Sequence, residues 1–450
     1  MKINYSIFKT YDIRGIYPSE LNEETAYLIG QAFVRFLKKD NPKVVVGRDN
    51  RFSSPSIFQS LTKGILQQGG DVVDIGLATT PMLYFAVAYF NFDAGINITA
   101  SHNPSKYNGF KIVREKAIPV SEQSGLNEIK KLILEGKFNS SKKGKIVRKK
   151  ILKEYLDFNL KDFNFKTIKP LKIIIDTANA VPGIIISNLF KKTGIKVFHL
   201  FSKLDSSFPN HEPNPIVKKN LKVICQAVKT KKANLGVAFD GDGDRVVFID
   251  EKGKMVSGDL ITALMAQLIL EEKPKEKIFY DIRSSNIVRE VIKKSGGVPI
   301  MGRIGHSLIK ERMRKEDIIF GGELSGHYYL KNHYFSDAPI FVLFKILEKI
   351  SKTDKAFSEI IKPYQKYFSS EEINFKIKNK KKILELLENR FKRGKILKID
   401  GLRVDFSDWW FLARPSGTED LLRLNIEAKT KKIMEKKKKE LSLFIKKHQN

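Results

Sequence analysis

Hydrophobic and polar positions follow one pattern three times along this chain. Each block begins with a lysine, a short apolar run and an aspartate, at residues 43–49, 172–176 and 277–281. Short apolar runs bounded by polar residues predict buried strands, and the stretch after each run reads as a helix. Because strands that alternate with helices indicate α/β layers, the pattern predicts three similar α/β domains with mixed sheets.

A second and a third strand complete each block. Glycine introduces the second strand, and a polar loop ends the third. The second strands are predicted at residues 70–75, 194–198 and 297–300, and the third at 94–98, 235–239 and 317–320. Ligand sites in open α/β sheets lie at the carboxyl ends of strands. We therefore expect the three polar loops, at residues 99–104, 240–245 and 321–327, to converge on a central cleft.

The pattern changes after about residue 368, where strands and helices surround a fourth polar loop at residues 413–419. This change predicts a smaller C-terminal α+β domain. Linkers are predicted in the lysine-rich stretch 140–150 and around Pro363. The predicted domains are residues 1–150 with the serine loop 99–104, 151–254 with the acidic loop 240–245, 255–367 with the polar loop 321–327, and 368–450 with the polar loop 413–419.

The acidic loop is the most informative segment. Asp240, Asp242 and Asp244 alternate with glycines and are followed directly by Arg245. Apolar runs on both sides predict two strands that deliver the loop to one sheet edge. Such a loop should bind a hard divalent cation, although an ordinary acidic turn is the alternative.

The loop superficially matches a calcium-binding EF-hand, with Glu251 at the twelfth position. However, Arg245 stands where the EF-hand needs glycine, and the flanks read as strands rather than helices. Mg²⁺ fits better, since it takes few protein ligands and often completes its shell with substrate phosphate.

The composition is typical of a globular protein with several domains. The chain has 450 residues, of which 42% are hydrophobic, enough for several cores. Its single cysteine, Cys225, lies in an apolar pattern and cannot form an internal disulfide, which suits the cytoplasm. The N-terminal residues lack a signal-peptide core, and the apolar run 260–270 is too short to cross a bilayer, so no membrane segment is expected.

The formal net charge of +32 raises the question of nucleic acid. Lysines are spread over every predicted domain, and the lysine-rich tail 429–447 also carries apolar residues at helical spacing. We interpret the tail as an amphipathic helix and do not expect nucleic acid as a partner. The charge should attract small anions.

The four loops together, in this order and spacing, resemble the α-D-phosphohexomutase superfamily, most closely its phosphomannomutase/phosphoglucomutase branch. The resemblance covers essentially the whole chain. It implies an enzyme that moves a phosphoryl group between the 1- and 6-positions of mannose or glucose phosphate. We expect a cytoplasmic monomer or homodimer. The cofactors implied are Mg²⁺ and a bisphosphorylated hexose, which is also the intermediate.

The resemblance implies a role for individual residues. Ser101 matches the phosphorylated serine and, through its phosphate, a metal ligand beside Asp240, Asp242 and Asp244. The other implied catalytic residues are Arg14, Lys111, Arg245 and His306. The implied substrate-binding residues are Tyr11, His102, Arg283, Glu323, Ser325, His327, Arg414, Ser416, Gly417, Thr418 and Arg423. To act as a base at neutral pH, Lys111 needs a lowered pKa.

Three positions depart from the family pattern, and a fourth bears on the choice of sugar. Ser105, Ala180 and Asp420 replace residues that are common in relatives, and a carboxylate at position 420 is electrostatically unhelpful beside a phosphate-binding loop unless it points away. Leu324 favours mannose and glucose phosphates over the glucosamine branch.

The alternatives to this function are a phosphoglucosamine mutase, a phosphosugar phosphatase, and a noncatalytic protein that binds phosphosugars or nucleic acid.

Overall fold

The computed structural model describes residues 3–138, 140, 143–191, 193–416 and 420–449. The chain forms two compact units. Unit 1 comprises Met1–Ser257, Gly305–Phe320 and Ser325–Ile360, and unit 2 comprises Gly258–Ile304, Gly321–Leu324 and Ile361–Asn450.

The first sheet of unit 1 carries the strand that precedes Ser101. Its strands are β1 (Ile13–Ile16), β2 (Lys43–Arg48), β3 (Asp71–Leu77), β4 (Ala94–Ile98), β5 (Tyr107–Arg114) and β6 (Ile146–Arg148), in the order β1-β5-β4-β2-β3-β6. Its helices are α1 (Glu23–Leu37), α2 (Ser54–Gln67), α3 (Thr80–Tyr89) and α4 (Asn127–Glu135). Strands β2, β3 and β4 run parallel, whereas β5 is antiparallel to both of its neighbours. Three consecutive valines in β2 are fully buried, as expected for a strand covered on both faces.

The second sheet of unit 1 carries the acidic loop. Its helices are α5 (Leu152–Leu160), α6 (Gly183–Leu189) and α7 (Lys222–Thr230), and its strands are β7 (Lys172–Asp176), β8 (Lys196–Leu200), β9 (Leu235–Phe239), β10 (Val246–Ile249) and β11 (Met255–Val256). The strand order is β11-β10-β9-β7-β8, with β7 parallel to β8 and β9. Strands β9 and β10 are antiparallel, and the acidic loop joins them.

The third block is divided between the two units. Unit 2 contains α8 (Gly258–Glu272), β12 (Lys277–Asp281), α9 (Asn286–Lys294) and β13 (Val298–Gly302), with β12 parallel to β13. The chain continues through α10 (His306–Glu316), β14 (Phe320–Gly322), β15 (Tyr328–Leu330), β16 (Ser336–Asp337), α11 (Pro339–Ser351) and α12 (Phe357–Ile361). Within unit 1, β15 is antiparallel to β16.

The C-terminal part of unit 2 is an antiparallel sheet with two helices. The elements are β17 (Phe368–Ser369), β18 (Ile373–Lys376), α13 (Lys380–Arg390), β19 (Lys395–Leu397), β20 (Leu402–Asp405), β21 (Trp409–Pro415), β22 (Leu421–Ala428) and α14 (Lys431–Lys447). Met434, Leu441 and Ile445 of α14 join the apolar core of this sheet, which leaves most of its lysines in water. The predicted α/β domains with mixed sheets, the α+β domain and the amphipathic tail are confirmed.

The aspartate at the end of the first strand, or directly after it, makes the same local hydrogen bond in each of the three blocks. It accepts a hydrogen bond from the backbone N–H two residues later: Arg51 to Asp49 (3.1 Å), Ala178 to Asp176 (2.8 Å) and Arg283 to Asp281 (2.7 Å). This local turn explains why the aspartate occurs in all three blocks.

Two local predictions were wrong. The third strand of the last block begins at Phe320 rather than 317, because Asp317 has a left-handed backbone (φ 54°) and ends α10. Residues 146–148, predicted as part of a linker, form β6 and pair in parallel with β3. In the described part of the chain, no helix combines the length and apolar character needed to span a membrane.

Candidate active site

Ser101 lies in a tight loop after β4. Its backbone has a left-handed conformation (φ 49°), and its N–H donates to Thr99 Oγ1 at 2.9 Å. The hydroxyl donates to Asp240 Oδ2 at 2.7 Å and lies 3.2 Å from His102 Nδ1. The loop therefore presents the hydroxyl of Ser101 directly to the acidic loop.

The side chain of Arg51 fixes the loop that carries Ser101. Its guanidinium is fully buried and donates to the carbonyl oxygens of Ser101, Asn103, Pro104 and Tyr107, at 2.6–3.1 Å. It also pairs with Asp49 at 3.0 Å. A planar group with five donors can satisfy several diverging carbonyls at once, so one side chain fixes the loop geometry.

The acidic loop packs closely against the serine loop. A Cβ atom at Gly241 would lie 2.3 Å from the carbonyl oxygen of Ser101, so only glycine permits this approach. Oxygens of Asp240, Asp242 and Asp244 lie within 4.8 Å of one another, and all three side chains are buried.

The donor set fits a hard divalent cation. Among the described residues, Asp242 Oδ1 and Asp244 Oδ1 are buried and make no hydrogen bond. Buried carboxylate oxygens without partners carry a large desolvation cost, which a cation would relieve. Three carboxylates, together with an oxygen at Ser101, are oxygen ligands of the kind that Mg²⁺ prefers.

Lys111 pairs with two of these carboxylates. Its ammonium donates to Asp242 Oδ2 at 2.8 Å and to Asp244 Oδ2. Burial alone would lower the pKa of Lys111, but the two carboxylates outweigh it and hold this pKa well above its usual value. This is opposite to the lowered pKa that a lysine base needs, so Lys111 is suited to stabilise negative charge as a cation.

The pKa values of two carboxylates in the acidic loop are shifted in different directions. Burial and the neighbouring Asp244 and Asp242 raise the pKa of Asp240 well above its usual value. For Asp244, burial is outweighed by Lys111 and His327, which lower its pKa. A bound dication would lower the pKa of Asp240 again, because its charge would offset the repulsion between Asp240 and the two neighbouring carboxylates.

Arg245 begins a buried chain of polar side chains behind the acidic loop. Its Nε donates to His327 Nε2 at 2.9 Å and lies 3.9 Å from Asp240 Oδ2. The other ring nitrogen of His327 lies 2.9 Å from Asp337 Oδ1, and Lys310 donates to Asp337 Oδ2 at 2.6 Å. Burial would raise the pKa of Asp337, but Lys310 and His327 lower it to about 2.

His306, Tyr11 and Arg14 lie in the same unit. The ring of His306 lies 6.1 Å from that of Tyr11 and 6.3 Å from that of His327. Neither nitrogen of His306 has a hydrogen-bond partner among the described residues, and burial lowers its pKa well below the usual value. Arg14 donates to Asn103 of the serine loop at 2.6 Å. Ser325 Oγ is buried and likewise makes no hydrogen bond within the described residues.

In unit 2, Arg283 and Glu323 share one cluster. The guanidinium of Arg283 is held by Asp281 at 2.7 Å and lies 3.6 Å from Glu323 Oε2. Burial would lower the pKa of Arg283, but these carboxylates raise it. The backbone N–H of Leu324 also donates to Asp281, at 2.8 Å.

Arg414 is the last residue but one of β21 and lies opposite Arg423 of β22. Burial and the nearby cations Arg283 and Arg423 lower the pKa of Arg414, so positive charge is concentrated where an anion would be stabilised. Ser416 follows β21 directly and is buried. Gly417 and Thr418 lie outside the described residues.

Asp420, the departure that looked unfavourable in the sequence, pairs with Lys380 at 3.4 Å. Its side chain is 87% exposed, so water and the lysine both reduce its repulsion of an anion.

Comparison with known proteins identifies the family. Four domain models match in succession: phosphoglucomutase/phosphomannomutase alpha/beta/alpha domains I (residues 5–140), II (153–253) and III (257–367), and the C-terminal domain (372–443). The chain belongs to the phosphoglucomutase/phosphomannomutase family.

Members of this family match the chain over nearly its full length. A phosphomannomutase from Vibrio cholerae is 40% identical over 98% of both chains. One from Methanocaldococcus jannaschii is 38% identical, over 98% of this chain and 97% of its own. The crystal structure of a family protein from Burkholderia thailandensis superposes with a TM-score of 0.91 at 31% identity, covering 99% of this chain and 98% of that one.

Sequence reasoning missed Arg51, Lys310 and Asp337. Arg51 follows the first-strand aspartate closely, and that repeated Asp-turn could have drawn attention to it. Lys310 and Asp337 are separated by 27 residues and resemble ordinary surface charges in the sequence, so only their burial distinguishes them.

Proposed function

We propose that this protein moves a phosphoryl group between the 1- and 6-positions of a hexose phosphate through a phosphoserine at Ser101 and a bisphosphorylated sugar. The observation that carries the proposal is the hydrogen bond of 2.7 Å from Ser101 Oγ to Asp240, inside a cluster of three buried carboxylates. A hydroxyl at such a site can accept a phosphoryl group and return it.

The residues around Ser101 have complementary roles in this proposal. Asp240, Asp242 and Asp244 would hold Mg²⁺, which, when bound, would neutralise charge on the transferring phosphoryl group. Lys111 and Arg245 add positive charge next to Asp242 and Asp240. Arg14 and His102 bind the same phosphate. His306 handles a proton of the attacking sugar hydroxyl, since both of its nitrogens are available within the described part of the chain.

Unit 2 supplies the groups that recognise the rest of the substrate. Arg414, Arg423 and Ser416, with Gly417 and Thr418, bind the phosphate that does not react. Glu323 and Arg283 bind sugar hydroxyls, as do Ser325, Tyr11 and His327 of unit 1. We also propose the functional domain division as residues 1–150, 151–254, 255–367 and 368–450.

The substrates proposed are mannose and glucose phosphates. The full-length relatives from Vibrio and Methanocaldococcus are named phosphomannomutases, and the family name includes phosphoglucomutase. Leu324, in the polar loop 321–327, supports the same choice. We further propose a cytoplasmic protein, because its one cysteine, Cys225, is a half-buried thiol in α7.

Parallel assays of mannose 1-phosphate, glucose 1-phosphate and glucosamine 1-phosphate, with Mg²⁺ and the matching bisphosphate, test the proposal. We expect 6-phosphate products from the first two and little from the third. Release of inorganic phosphate without isomerisation would identify a phosphatase. Turnover of glucosamine 1-phosphate alone would identify the glucosamine branch.

A further inference from the structure

One face of the C-terminal sheet in unit 2 lies against the segment that follows β12, here called the β12–α9 segment (residues 282–286). On antiparallel strands, residues directly opposite each other project from the same face, as do alternate residues of one strand. Leu412 of β21 lies opposite Arg403, and Trp410 lies opposite Glu427. These four side chains therefore share one face, whereas the other face builds the apolar core with α13 and α14.

Arg403 binds both ends of the β12–α9 segment. Its guanidinium is fully buried and donates to the carbonyl oxygen of Ile282 at 2.7 Å and to Asn286 Oδ1 at 2.9 Å. Its Nε donates to Asp405 at 2.9 Å, and the guanidinium lies 3.8 Å from the ring centre of Trp410. The group is thus fixed along its edge by acceptors and across its face by an aromatic ring.

Glu427 adds a second connection between the sheet and the segment. One of its oxygens accepts from Trp410 Nε1 at 2.7 Å and from the backbone N–H of Asn286 at 2.9 Å. Ile282 packs with Trp410 and Leu412 in a small apolar cluster. The first and last residues of the segment are therefore both bound to the C-terminal sheet.

The segment carries Arg283, and the same face of the sheet carries Arg414, two residues after Leu412. The guanidinium of Arg283 is held by Asp281 and lies 3.6 Å from Glu323. Burial, followed by the charge of Arg283, lowers the pKa of Arg414, so the two cations are near enough to interact. A sheet that holds the segment in place therefore also sets the position of Arg283 relative to Arg414.

Stability alone does not require an arginine at position 403. A buried ion pair contributes little to stability compared with apolar packing, and an apolar side chain of similar length would fill the same space. Unlike an apolar side chain, Arg403 satisfies acceptors that face in different directions, which fixes the geometry of the segment.

We propose that Arg403 and Glu427 are positioning residues that attach the β12–α9 segment to the C-terminal sheet, so that Arg283 is held at a set position relative to Arg414 while both bind substrate. This inference rests on the proposed function. It makes the segment and the face of the sheet that carries Arg414 a single substrate-binding element.

Hydrogen exchange of the full-length protein, followed by mass spectrometry without substrate, tests the attachment directly. In Arg403→Met, amides of the segment should exchange more than roughly tenfold faster than in wild type, because the segment opens locally once these donors are gone. Asn286→Ala removes one acceptor of Arg403 and should also accelerate exchange, so it carries the test if Arg403→Met folds poorly. Wild-type exchange of the segment in either folded variant would contradict the inference.

Kinetics separates positioning from general structural support. Arg403→Met should lower kcat/KM for mannose 1-phosphate more than roughly tenfold, because Arg283 is no longer held in its place. In protein that already carries Arg283→Met, the same change should lower kcat/KM by less than about twofold, since there is no longer an arginine to position. An equal loss in both backgrounds would identify a merely structural role and overturn the inference.

Two substitutions at Glu427 and one control complete the series. Glu427→Ala should accelerate exchange and lower kcat/KM as Arg403→Met does, whereas Glu427→Gln keeps an acceptor oxygen and should stay within about threefold of wild type. Equal effects of the two Glu427 substitutions would contradict its positioning role. Arg393→Met, at an exposed position of the same domain, is the matched control and should leave exchange and kinetics unchanged.

The inference and the proposed function can fail separately. Wild-type kcat/KM in Arg403→Met, in an active mutase, would overturn the positioning role and leave the proposed function intact. Absence of mutase activity in the wild-type protein would refute the proposed function, whereas hydrogen exchange would still decide whether Arg403 attaches the segment to the sheet.

Discussion

At the scale of single residues, Asp242 connects the acidic loop to Lys111 and Thr80, which belong to the first sheet and its helices. One oxygen accepts hydrogen bonds from Lys111 at 2.8 Å and from Thr80 Oγ1 at 2.5 Å. The other has no hydrogen bond among the described residues and is available to a cation. Removing the charge at this position should therefore weaken metal binding while the surrounding hydrogen bonds can persist.

Asp242→Asn should lower kcat by roughly two orders of magnitude or more, since it weakens Mg²⁺ and the charge stabilisation it supplies. Steady-state kinetics across a Mg²⁺ titration measures the effect, and circular dichroism checks the fold. Asp250→Asn is the control, because Asp250 only caps the turn after β10. Equal turnover of Asp242→Asn and wild type would mean that the acidic loop is only a turn.

His333 provides a second test at this scale, on stability rather than catalysis. Its ring packs 4.9 Å from Phe158 and 5.6 Å from Phe341, and neither nitrogen has a hydrogen-bond partner within the described part of the chain. Burial, helped by Lys161, lowers the pKa of His333 to about 3.

The sign of the pH effect follows from that pKa. Between about pH 6.5 and pH 3, the unfolded chain binds a proton at His333 that the folded chain does not, so stability falls as the pH falls. At pH 5 this amounts to about 2 kcal/mol. His333→Phe should therefore lose about 2 kcal/mol less than wild type between pH 7.5 and pH 5 in urea unfolding. Parallel pH profiles for the two proteins would show that His333 is accessible to protons in the folded state.

At the scale of elements, the loop after β4 depends on one buried guanidinium. Arg51→Lys should destabilise unit 1 by about 2–4 kcal/mol, because an ammonium cannot reach four diverging carbonyls and leaves some of them unsatisfied. It should also lower kcat, since Ser101 loses its fixed position. Urea unfolding and kinetics measure both effects.

The control for this change is Arg312→Lys, which alters a partly exposed pair within α10 and should change stability by less than about 0.5 kcal/mol. If Arg51→Lys were as stable and as active as wild type, the loop would not depend on Arg51.

The helices and strands also show how much of the fold could be predicted from the sequence. Strands at 94–98, 172–176, 235–239 and 277–281 were predicted with the observed ends, because buried apolar runs with turn residues on both sides have few alternatives. The start of β14 could not be predicted, since a left-handed Asp317 depends on how α10 ends. The polar loops were predicted from their residues, but the contacts of Arg51 and Lys310 span long sequence separations and left no periodic pattern.

At the scale of the whole molecule, four family domains are organised as two compact units. Ser101 and the acidic loop belong to unit 1, whereas Arg414 and Arg283 belong to unit 2. We therefore expect phosphoryl transfer to depend on residues of unit 1 and recognition of the second phosphate to depend on residues of unit 2. The two activities should be separable by mutation.

Arg414→Ala should lower kcat/KM more than roughly tenfold, because the distal phosphate no longer aligns the reacting hydroxyl. Phosphate on Ser101 should survive, and peptide mass spectrometry can show it. Arg393→Ala, at an exposed position of the C-terminal domain, is the control. Normal kinetics in Arg414→Ala would leave the loop at residues 414–418 without a role in substrate binding.

The central claim is that Ser101 carries the phosphoryl group during turnover. Its most direct test is peptide mass spectrometry of the protein incubated with Mg²⁺ and a hexose 1,6-bisphosphate, before and after addition of mannose 1-phosphate. We predict one phosphoryl group on Ser101, lost to the added sugar when the bisphosphate is removed first, and neither phosphate nor turnover in Ser101→Ala. Wild-type turnover by Ser101→Ala, with no phosphate detectable on Ser101 of the active wild-type protein, would contradict the account.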